Sequence, residues 1–139
     1  STAARLYRAA ADEGYPLAQT NLGVMYESGQ GGLPKSDREA ERLYRAAAEQ
    51  GFPAAQASLG TFYVAGRGGL RRDDGEAVRL FRLAAESGNA QAQNNLGKMY
   101  AEGRGGVPRD LDQAAKWWRL AADAGVQEAR GNLQKAGRR

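Results

Sequence analysis

The sequence predicts an all-α fold of stacked helix pairs, and three observations support this prediction. Glycines recur every 37 residues along the 139-residue chain, at Gly14, Gly51, Gly88 and Gly125. Each period contains two segments with the apolar spacing of an amphipathic helix. The composition also disfavours strands, since the chain has 27 alanines but only eight β-branched residues. A hairpin of this size cannot bury its own apolar stripe, so the repeat implies a solenoid.

The repeat extends over the whole chain, 1–139, which is therefore predicted to be a single array without a linker. The predicted units are a half repeat over 1–13, full repeats over 14–50, 51–87 and 88–124, and a terminal half repeat over 125–139. The last unit departs from the pattern, because Gln134 and Gly137 replace a repeated glycine and tyrosine. We therefore expect the array to end there, whereas the first helix keeps the full pattern and leaves room for further repeats before Ser1.

The first helix of each unit, here called the A helix, is predicted over Pro16 to Ser28 in the first full repeat. Its apolar positions follow the i, i+4, i+7, i+8 spacing of one helix face: Ala18, Leu22, Met25 and Tyr26. Proline fits the first helical turn, where no N–H partner is lost. Gly29 fits the position after the helix, where a left-handed conformation is required.

The second helix, here called the B helix, is predicted from Asp37 to Gln50. Capping-box pairs mark its start in all three full units: Ser36 with Glu39, Asp73 with Glu76, and Asp110 with Gln113. The glycine-rich connections GQGGLP, GRGGLR and GRGGVP are short, so the A and B helices must run antiparallel. Each connection carries one apolar residue, Leu33, Leu70 or Val107, which we expect to tuck under the hairpin.

A glycine in the middle of each A helix predicts a close helix crossing. Gly23, Gly60 and Gly97 each cost about 1 kcal/mol of helix stability relative to alanine. A threefold repetition of that cost indicates a contact that a side chain would block. The chain should form about eight helices, namely one B helix, three A–B pairs and a final A helix at about 126–136.

The missing residue types exclude several classes of function. There is no histidine and no cysteine, which removes imidazole bases, thiolate nucleophiles, disulfides and the usual zinc ligands. No metal or cofactor is expected, and the chain is not predicted to be an enzyme. No run of about 18 apolar residues is present, so membrane insertion is not expected. The net charge of +4 is spread gently and does not resemble a nucleic-acid footprint.

Three motifs have both a functional and a structural interpretation, and the structural one is favoured each time. The glycine-rich loops could cradle phosphate, but no strand precedes them and no Gly-Lys-Ser/Thr follows. The carboxylate pairs Asp73–Asp74 and Asp110–Asp112 could act as acid–base groups, but they stand at helix starts, where carboxylates cap N–H groups. Trp117 and Trp118 could stack on a ligand, but they occupy repeat positions typical of the core.

The repeated residues resemble the Sel1-like repeat, a relative of the tetratricopeptide repeat. The third unit carries the pattern as Ala92, Leu96, Gly97, Tyr100, Gly103, Gly105, Asp110, Ala114, Trp117, Trp118, Ala121, Ala122 and Gly125. The resemblance covers essentially the whole chain and departs locally, with Ser36 in place of aspartate and Leu43 and Leu80 in place of tryptophan. It implies a right-handed α–α superhelix that serves as a protein-interaction scaffold without chemistry of its own. Family habit slightly favours a bacterial periplasm or envelope location over the cytoplasm.

In the families that this chain resembles, A helices line a concave groove, which predicts where a partner binds. The predicted groove positions vary between units and comprise Leu17, Thr20, Asn21, Val24, Ala57, Ser58, Thr61, Asn94, Asn95, Lys98, Asn132 and Lys135. Asn21, Ser58, Asn95 and Asn132 share one register. Their polar groups either bind a peptide backbone or satisfy neighbouring groups of the protein, and the sequence does not decide between the two. Acidic groups of a partner are expected near Lys98 and Lys135.

Two functions remain open from the sequence. The favoured function is a non-catalytic scaffold that binds another protein or a peptide segment in the groove. The alternative is a nucleic-acid binder of the helical-repeat kind that uses loop arginines: Arg67, Arg71, Arg104 and Arg109. Interleaved acidic residues argue against that alternative, and no nucleic acid is expected as a partner. The sequence does not indicate the partner's identity or the oligomeric state.

Overall fold

The computed structural model describes residues 1–138, which form eight α-helices and contain no strand. The helices are α1 (Thr2–Asp12), α2 (Pro16–Ser28), α3 (Asp37–Glu49), α4 (Pro53–Ala65), α5 (Asp74–Glu86), α6 (Ala90–Glu102), α7 (Leu111–Asp123) and α8 (Gln127–Lys135). Each helix packs mainly against its neighbours along the chain. The predicted all-α solenoid of antiparallel pairs is therefore confirmed, with α2, α4, α6 and α8 as A helices and α1, α3, α5 and α7 as B helices.

The helix ends follow the local signals that the sequence contains. Pro16 and Pro53 occupy the first helical position of α2 and α4. The side chains of Ser36, Asp73 and Asp110 accept hydrogen bonds from backbone N–H groups in the first turn of the B helices. The glycines that end the A helices are left-handed, with φ between 64° and 69°. These caps fix the helix bounds to within a residue or two of the prediction.

The mid-helix glycines contact aromatic rings of the B helices, as expected. A Cβ atom on Gly23 would lie 2.7 Å from the Tyr44 ring, and one on Gly60 would lie 2.5 Å from the Phe81 ring. Both aromatic side chains are almost fully buried. The glycines therefore allow each A helix to approach its own B helix so closely that the ring lies against the backbone.

Two kinds of arginine contact join successive units, and the sequence analysis did not identify them. One kind is a hydrogen bond from a B-helix arginine to the hydroxyl of a tyrosine on the following A helix: Arg8–Tyr26, Arg45–Tyr63 and Arg82–Tyr100. The other is a bidentate pair between a loop arginine and the aspartate that opens the preceding B helix, Arg67–Asp37 and Arg104–Asp74. Such pairs fix orientation as well as distance.

Candidate functional site

The A helices form the inner wall of the solenoid. Helix α2 contacts α4, and α4 contacts α6, whereas the B helices α3 and α5 do not pack against one another to a comparable extent. Closer spacing on one side of a stack curves it toward that side. The surface that the A helices share is therefore concave, and it is called the groove below.

The twelve predicted groove residues fall into two sets. Eight are at least partly exposed: Leu17, Asn21, Val24, Ser58, Thr61, Lys98, Asn132 and Lys135. Four are buried: Thr20, Ala57, Asn94 and Asn95. Thr20, Ala57 and Asn94 share one register, and the Thr20 hydroxyl donates to the Pro16 carbonyl at 2.8 Å. The side chains at this register are buried between the helices, so they support the groove surface without being part of it.

Two adjoining depressions occupy the half of the groove nearer the C-terminus. The central depression has a volume of about 140 Å³ and is lined by Thr61, Val64, Phe81, Asn95, Lys98, Met99 and Arg104. The C-terminal depression has a volume of about 500 Å³, and its lining includes Lys98, Arg109, Trp118, Asn132 and Lys135. The structure thus brings Thr61, Asn95, Lys98, Asn132 and Lys135 together. Leu17, Asn21 and Val24 lie in neither depression.

Asn95 is the polar residue of the central depression that lacks an internal partner. The side chain is 8% exposed, and among the described residues no acceptor lies within hydrogen-bonding distance of its Nδ2. A buried donor without an acceptor costs about 1–3 kcal/mol. Because Nδ2 has almost no accessible surface, a group bound in the depression can satisfy this donor only when the Asn95 side chain rotates toward it.

The neighbouring repeat shows why this amide is unpaired. At the register of Asn95, the preceding unit has Ser58, whose side chain interacts with the Tyr44 hydroxyl. The residue that corresponds to Tyr44 in the next unit is Phe81, which has no hydroxyl. Position 81 therefore offers no hydroxyl to the Asn95 side chain, whereas position 44 offers one to Ser58.

The Tyr44 hydroxyl belongs to a polar network that fills the corresponding part of the groove one repeat earlier. It donates to Glu27 Oε1 at 2.7 Å, and Arg67 contacts the other carboxylate oxygen of Glu27 at 3.1 Å. Burial raises the pKa of Tyr44, and the Glu27 carboxylate raises it further, so the phenol remains a donor. In the next unit Val64 stands at the position of Glu27, and the network is absent there.

Asn94 and Asn132 are paired within the protein. Asn94 Nδ2 donates to Glu128 Oε1 at 2.9 Å, and Asn132 Nδ2 donates to Asn94 Oδ1 at 3.1 Å. Lys98 Nζ also donates to Glu128 Oε1, at 3.0 Å. The hydrogen bond from Asn94 and the Lys98 ammonium both lower the pKa of Glu128. Within the recurring register, Asn132 therefore satisfies a neighbouring group, whereas Asn95 does not.

The loop arginines mostly serve the structure. Arg67 and Arg104 are held by the bidentate pairs with Asp37 and Asp74, and Arg109 Nε donates to the Ala101 carbonyl at 3.2 Å. Arg71 is exposed. Charges that are already paired contribute little to phosphate binding.

Within residues 1–138, no group of three or more acidic, cysteine or histidine side chains is placed to hold a metal ion. The helices of the described part of the chain are too short or too polar to cross a bilayer.

The sequence placed Val64 among the positions that face the groove, but it did not identify Phe81 and Met99, which complete the apolar part of the central depression. A signal was nevertheless present in the sequence. Between the first and second full units, glutamate changes to valine at position 64 and tyrosine changes to phenylalanine at position 81. A coupled loss of two polar groups in an otherwise regular repeat marks the place where the depression opens.

A Sel1 repeat family profile matches residues 1–15, 16–52, 53–89 and 90–126. The chain belongs to the Sel1 repeat family. The matched units have the 37-residue period predicted from the sequence and begin two residues later than the units defined above. Sel1 repeat proteins are generally protein–protein interaction scaffolds. No curated protein sequence matches the chain.

Solved structures of Sel1 repeat proteins superpose closely on the chain. The protective antigen c5321 of uropathogenic Escherichia coli strains is 38% identical, with a TM-score of 0.83 over 94% of this chain. A Sel1 repeat protein from Oxalobacter formigenes is 35% identical, with a TM-score of 0.82 over 96%. The chain spans 28% of the first protein and 53% of the second.

Helicobacter pylori cysteine rich protein B is similar in fold alone. It is 20% identical, with a TM-score of 0.70 over 94% of this chain and 96% of that protein.

Proposed function

We propose that this protein is a non-catalytic scaffold that binds an extended peptide segment of a partner protein in the groove. The observation that carries the proposal is the unpaired Nδ2 donor of Asn95 in the central depression. A peptide backbone supplies a carbonyl acceptor at every residue, whatever its sequence. Bound there, such a carbonyl would remove the cost of a buried donor without an acceptor.

The central depression adds a preference for an apolar side chain. Val64, Phe81 and Met99 form its wall around the Asn95 amide. A volume of about 140 Å³ leaves room for one aliphatic side chain beside the bound carbonyl. A peptide that places such a side chain next to the Asn95 contact would bury apolar surface and form the hydrogen bond together.

The C-terminal depression favours acidic side chains in the same peptide. Three basic residues line it, Lys98, Arg109 and Lys135, together with the acidic residue Glu102. Lys98 is already paired with Glu128, so an acidic group of the peptide would compete with that carboxylate for Lys98, and Lys135 and Arg109 supply most of the preference. Complementary charge increases the association rate and sets the direction in which the peptide lies. The expected ligand is therefore an extended segment with an aliphatic residue at the centre and acidic residues toward α8.

The proposal can be tested with peptides selected from a random display library against the whole chain. The Kd of the best peptide is then measured for the wild type and for the double variant Asn95→Leu/Lys98→Gln. We expect the double variant to bind at least about tenfold more weakly, which corresponds to about 1.4 kcal/mol. Its melting temperature should not fall, because leucine fits the apolar surroundings of position 95.

Lys116→Gln is the matched control for charge. Lys116 is exposed on α7, outside both depressions, and its replacement removes the same single charge as Lys98→Gln. Peptide binding should not change in this control. Equal affinity of the wild type and the double variant, or an equal loss in Lys116→Gln, would contradict the proposal.

A further inference from the structure

The hydrogen bonds that join α6 and α8 surround a carboxylate of the protein itself. Asn94 Nδ2 and Lys98 Nζ both donate to Glu128 Oε1, at 2.9 Å and 3.0 Å. Asn132 Nδ2 donates in turn to Asn94 Oδ1 at 3.1 Å. That bond occupies the oxygen of the Asn94 amide and leaves its Nδ2 facing the carboxylate. The position between Asn94 Nδ2 and Lys98 Nζ is called the carboxylate site below.

The two sides of the carboxylate site differ in how firmly the fold holds them. Asn94 is 0% exposed, so the position of its amide is set by the surrounding helices. The side chains of Lys98 and Glu128 are 46% and 55% exposed. The acceptor therefore belongs to a surface side chain, whereas one of its donors is part of the core. A buried donor that loses its acceptor favours another acceptor in the same place.

The preceding pairs of A helices have uncharged residues at the equivalent positions. Those residues are Thr20, Val24 and Ala54 for α2 and α4, and Ala57, Thr61 and Gln91 for α4 and α6. Helix α2 packs against α4, and α4 against α6, without any charge at these positions. Packing of the A helices therefore does not require the charged group between α6 and α8.

Glu128 has a second favourable position at the start of its own helix. It lies in the first turn of α8, and the N-cap residue Val126 provides no side-chain hydrogen bond there. The unpaired N–H groups of a helix N-terminus attract a carboxylate about as strongly as an exposed cation does. Rotation about the side-chain torsions of Glu128 exchanges the two positions. The carboxylate site can thus open without a movement of the backbone.

We propose that Glu128 is the internal ligand of a carboxylate-binding site, and that an acidic side chain of the partner binds there by displacing it. The incoming carboxylate accepts hydrogen bonds from Asn94 Nδ2 and Lys98 Nζ, and Glu128 moves to the N-terminus of α8. Because one carboxylate replaces another, the exchange changes which partners fit more than it changes affinity. The use of the site in recognition rests on the groove function proposed above, whereas the exchange itself does not.

Acetate is the probe for the exchange, because it supplies a carboxylate without a peptide. Sodium acetate is titrated into the whole ¹⁵N-labelled chain at constant ionic strength, and the side-chain amide resonances of Asn94 are followed. Glu128→Ala empties the site and should show saturable shifts, with a Kd on the order of 10 mM for so small a ligand. The wild type should bind acetate at least about threefold more weakly, because Glu128 competes for the same donors.

Two results of this titration would overturn the proposal. Absence of saturable shifts at Asn94 in Glu128→Ala would show that the two donors do not form a carboxylate site. Equal acetate affinity of the wild type and Glu128→Ala would show that Glu128 does not occupy it. Glu128 is more than half exposed, so its replacement by alanine should leave the fold intact.

Two further variants control for net charge and for the donors. Glu102→Ala removes an acidic residue that also lines the C-terminal depression and is paired with Arg104, and it should bind acetate as the wild type does. Adding Lys98→Gln to Glu128→Ala removes the ammonium donor and should weaken acetate binding at least about threefold. An equal gain in Glu102→Ala and Glu128→Ala, or no effect of Lys98→Gln, would contradict the assignment.

The groove peptide distinguishes this proposal from the previous one. Glu128→Gln keeps the shape of the side chain and removes its charge. A peptide with an acidic residue toward α8 should bind this variant at least about threefold more tightly than the wild type, and the same peptide with glutamine there should bind both equally. Equal changes for the two peptides would overturn the role of the site in recognition. If no peptide binds the groove at all, the proposed function fails, and the acetate titration still decides the exchange.

Discussion

Two neighbouring junctions between repeats have the same backbone contacts, here called the shared frame, but different side chains at the groove surface. The first junction, between the first and second full repeats, contains Glu27 and Tyr44 in a hydrogen-bonded network. The second junction, one repeat later, contains Val64 and Phe81 at the same positions and has the central depression instead. Two substitutions that remove polar atoms thus convert a filled surface into an open one. In a repeat protein, function can be sought where the side chains change and the frame does not.

The shared frame makes this comparison meaningful. Both junctions have a glycine against an aromatic ring, and both have a bidentate pair between a loop arginine and the aspartate of the preceding B helix. A difference in binding between the junctions must therefore come from the side chains of the groove. The following predictions test the shared frame and the differing side chains in turn.

The largest expected effect concerns the shared glycine contacts. Gly23→Ala and Gly60→Ala should each lower the free energy of unfolding by about 2 kcal/mol, because the new methyl group overlaps the aromatic ring. Gly131→Ala in α8 is the control, since no atom lies within 4 Å of its Cβ position, and it should raise stability by up to about 1 kcal/mol. Urea unfolding measures all three. A tolerated Gly60→Ala would show that the second junction relaxes into its depression.

The next prediction converts the second junction into the first. Val64→Glu/Phe81→Tyr should rebuild the network and give the Asn95 side chain a hydroxyl partner. Binding of a groove peptide should weaken at least about tenfold, or about 1.4 kcal/mol. The reverse pair, Glu27→Val/Tyr44→Phe, changes the first junction and should leave that affinity unchanged. Titration of one peptide against both variants decides whether the two positions control access to the groove.

A smaller effect is expected when a single hydroxyl is removed from the first junction. Tyr44→Phe deletes the hydrogen bond to Glu27 and should lower the free energy of unfolding by about 1 kcal/mol. Tyr15→Phe removes a hydroxyl from a side chain that is 63% exposed, and it should change stability by less than about 0.5 kcal/mol. If both variants lower the free energy of unfolding by the same amount, the hydrogen-bonded network adds no stability beyond the packing of the Tyr44 ring.

The smallest effect concerns the acid stability of the arginine–aspartate pairs. The hydrogen bonds from Arg67 and Arg104 lower the pKa of Asp37 and Asp74 below the ordinary value of 3.8. A lowered pKa in the folded state adds stability above the ordinary value, and that stability is lost as the pH falls through the lowered value. Asp37→Asn and Asp74→Asn should each reduce the loss of unfolding free energy at acidic pH by less than about 1 kcal/mol. Urea unfolding at a series of acidic pH values should show the same change for both, and unequal changes would show that the frames differ.

The sequence determined the helices, their bounds and their order. A 37-residue period repeats each signal in two or three units, and the signals act within a few residues of the chain. A proline starts a helix, a carboxylate caps it and a left-handed glycine ends it, whatever the rest of the molecule does. The mid-helix glycines could also be interpreted from the sequence. Each one lowers helix stability relative to alanine, and its repetition implies a close contact with another helix.

Only the tertiary structure separated Asn94 from Asn95. The two asparagines are adjacent in α6, yet one is bonded to Glu128 and the other is unpaired. The state of Asn95 depends on the residue at position 81, which lies on another helix. Whether a buried polar atom has a hydrogen-bond partner depends on contacts between side chains of different helices. The helical periodicity of the sequence does not specify those contacts.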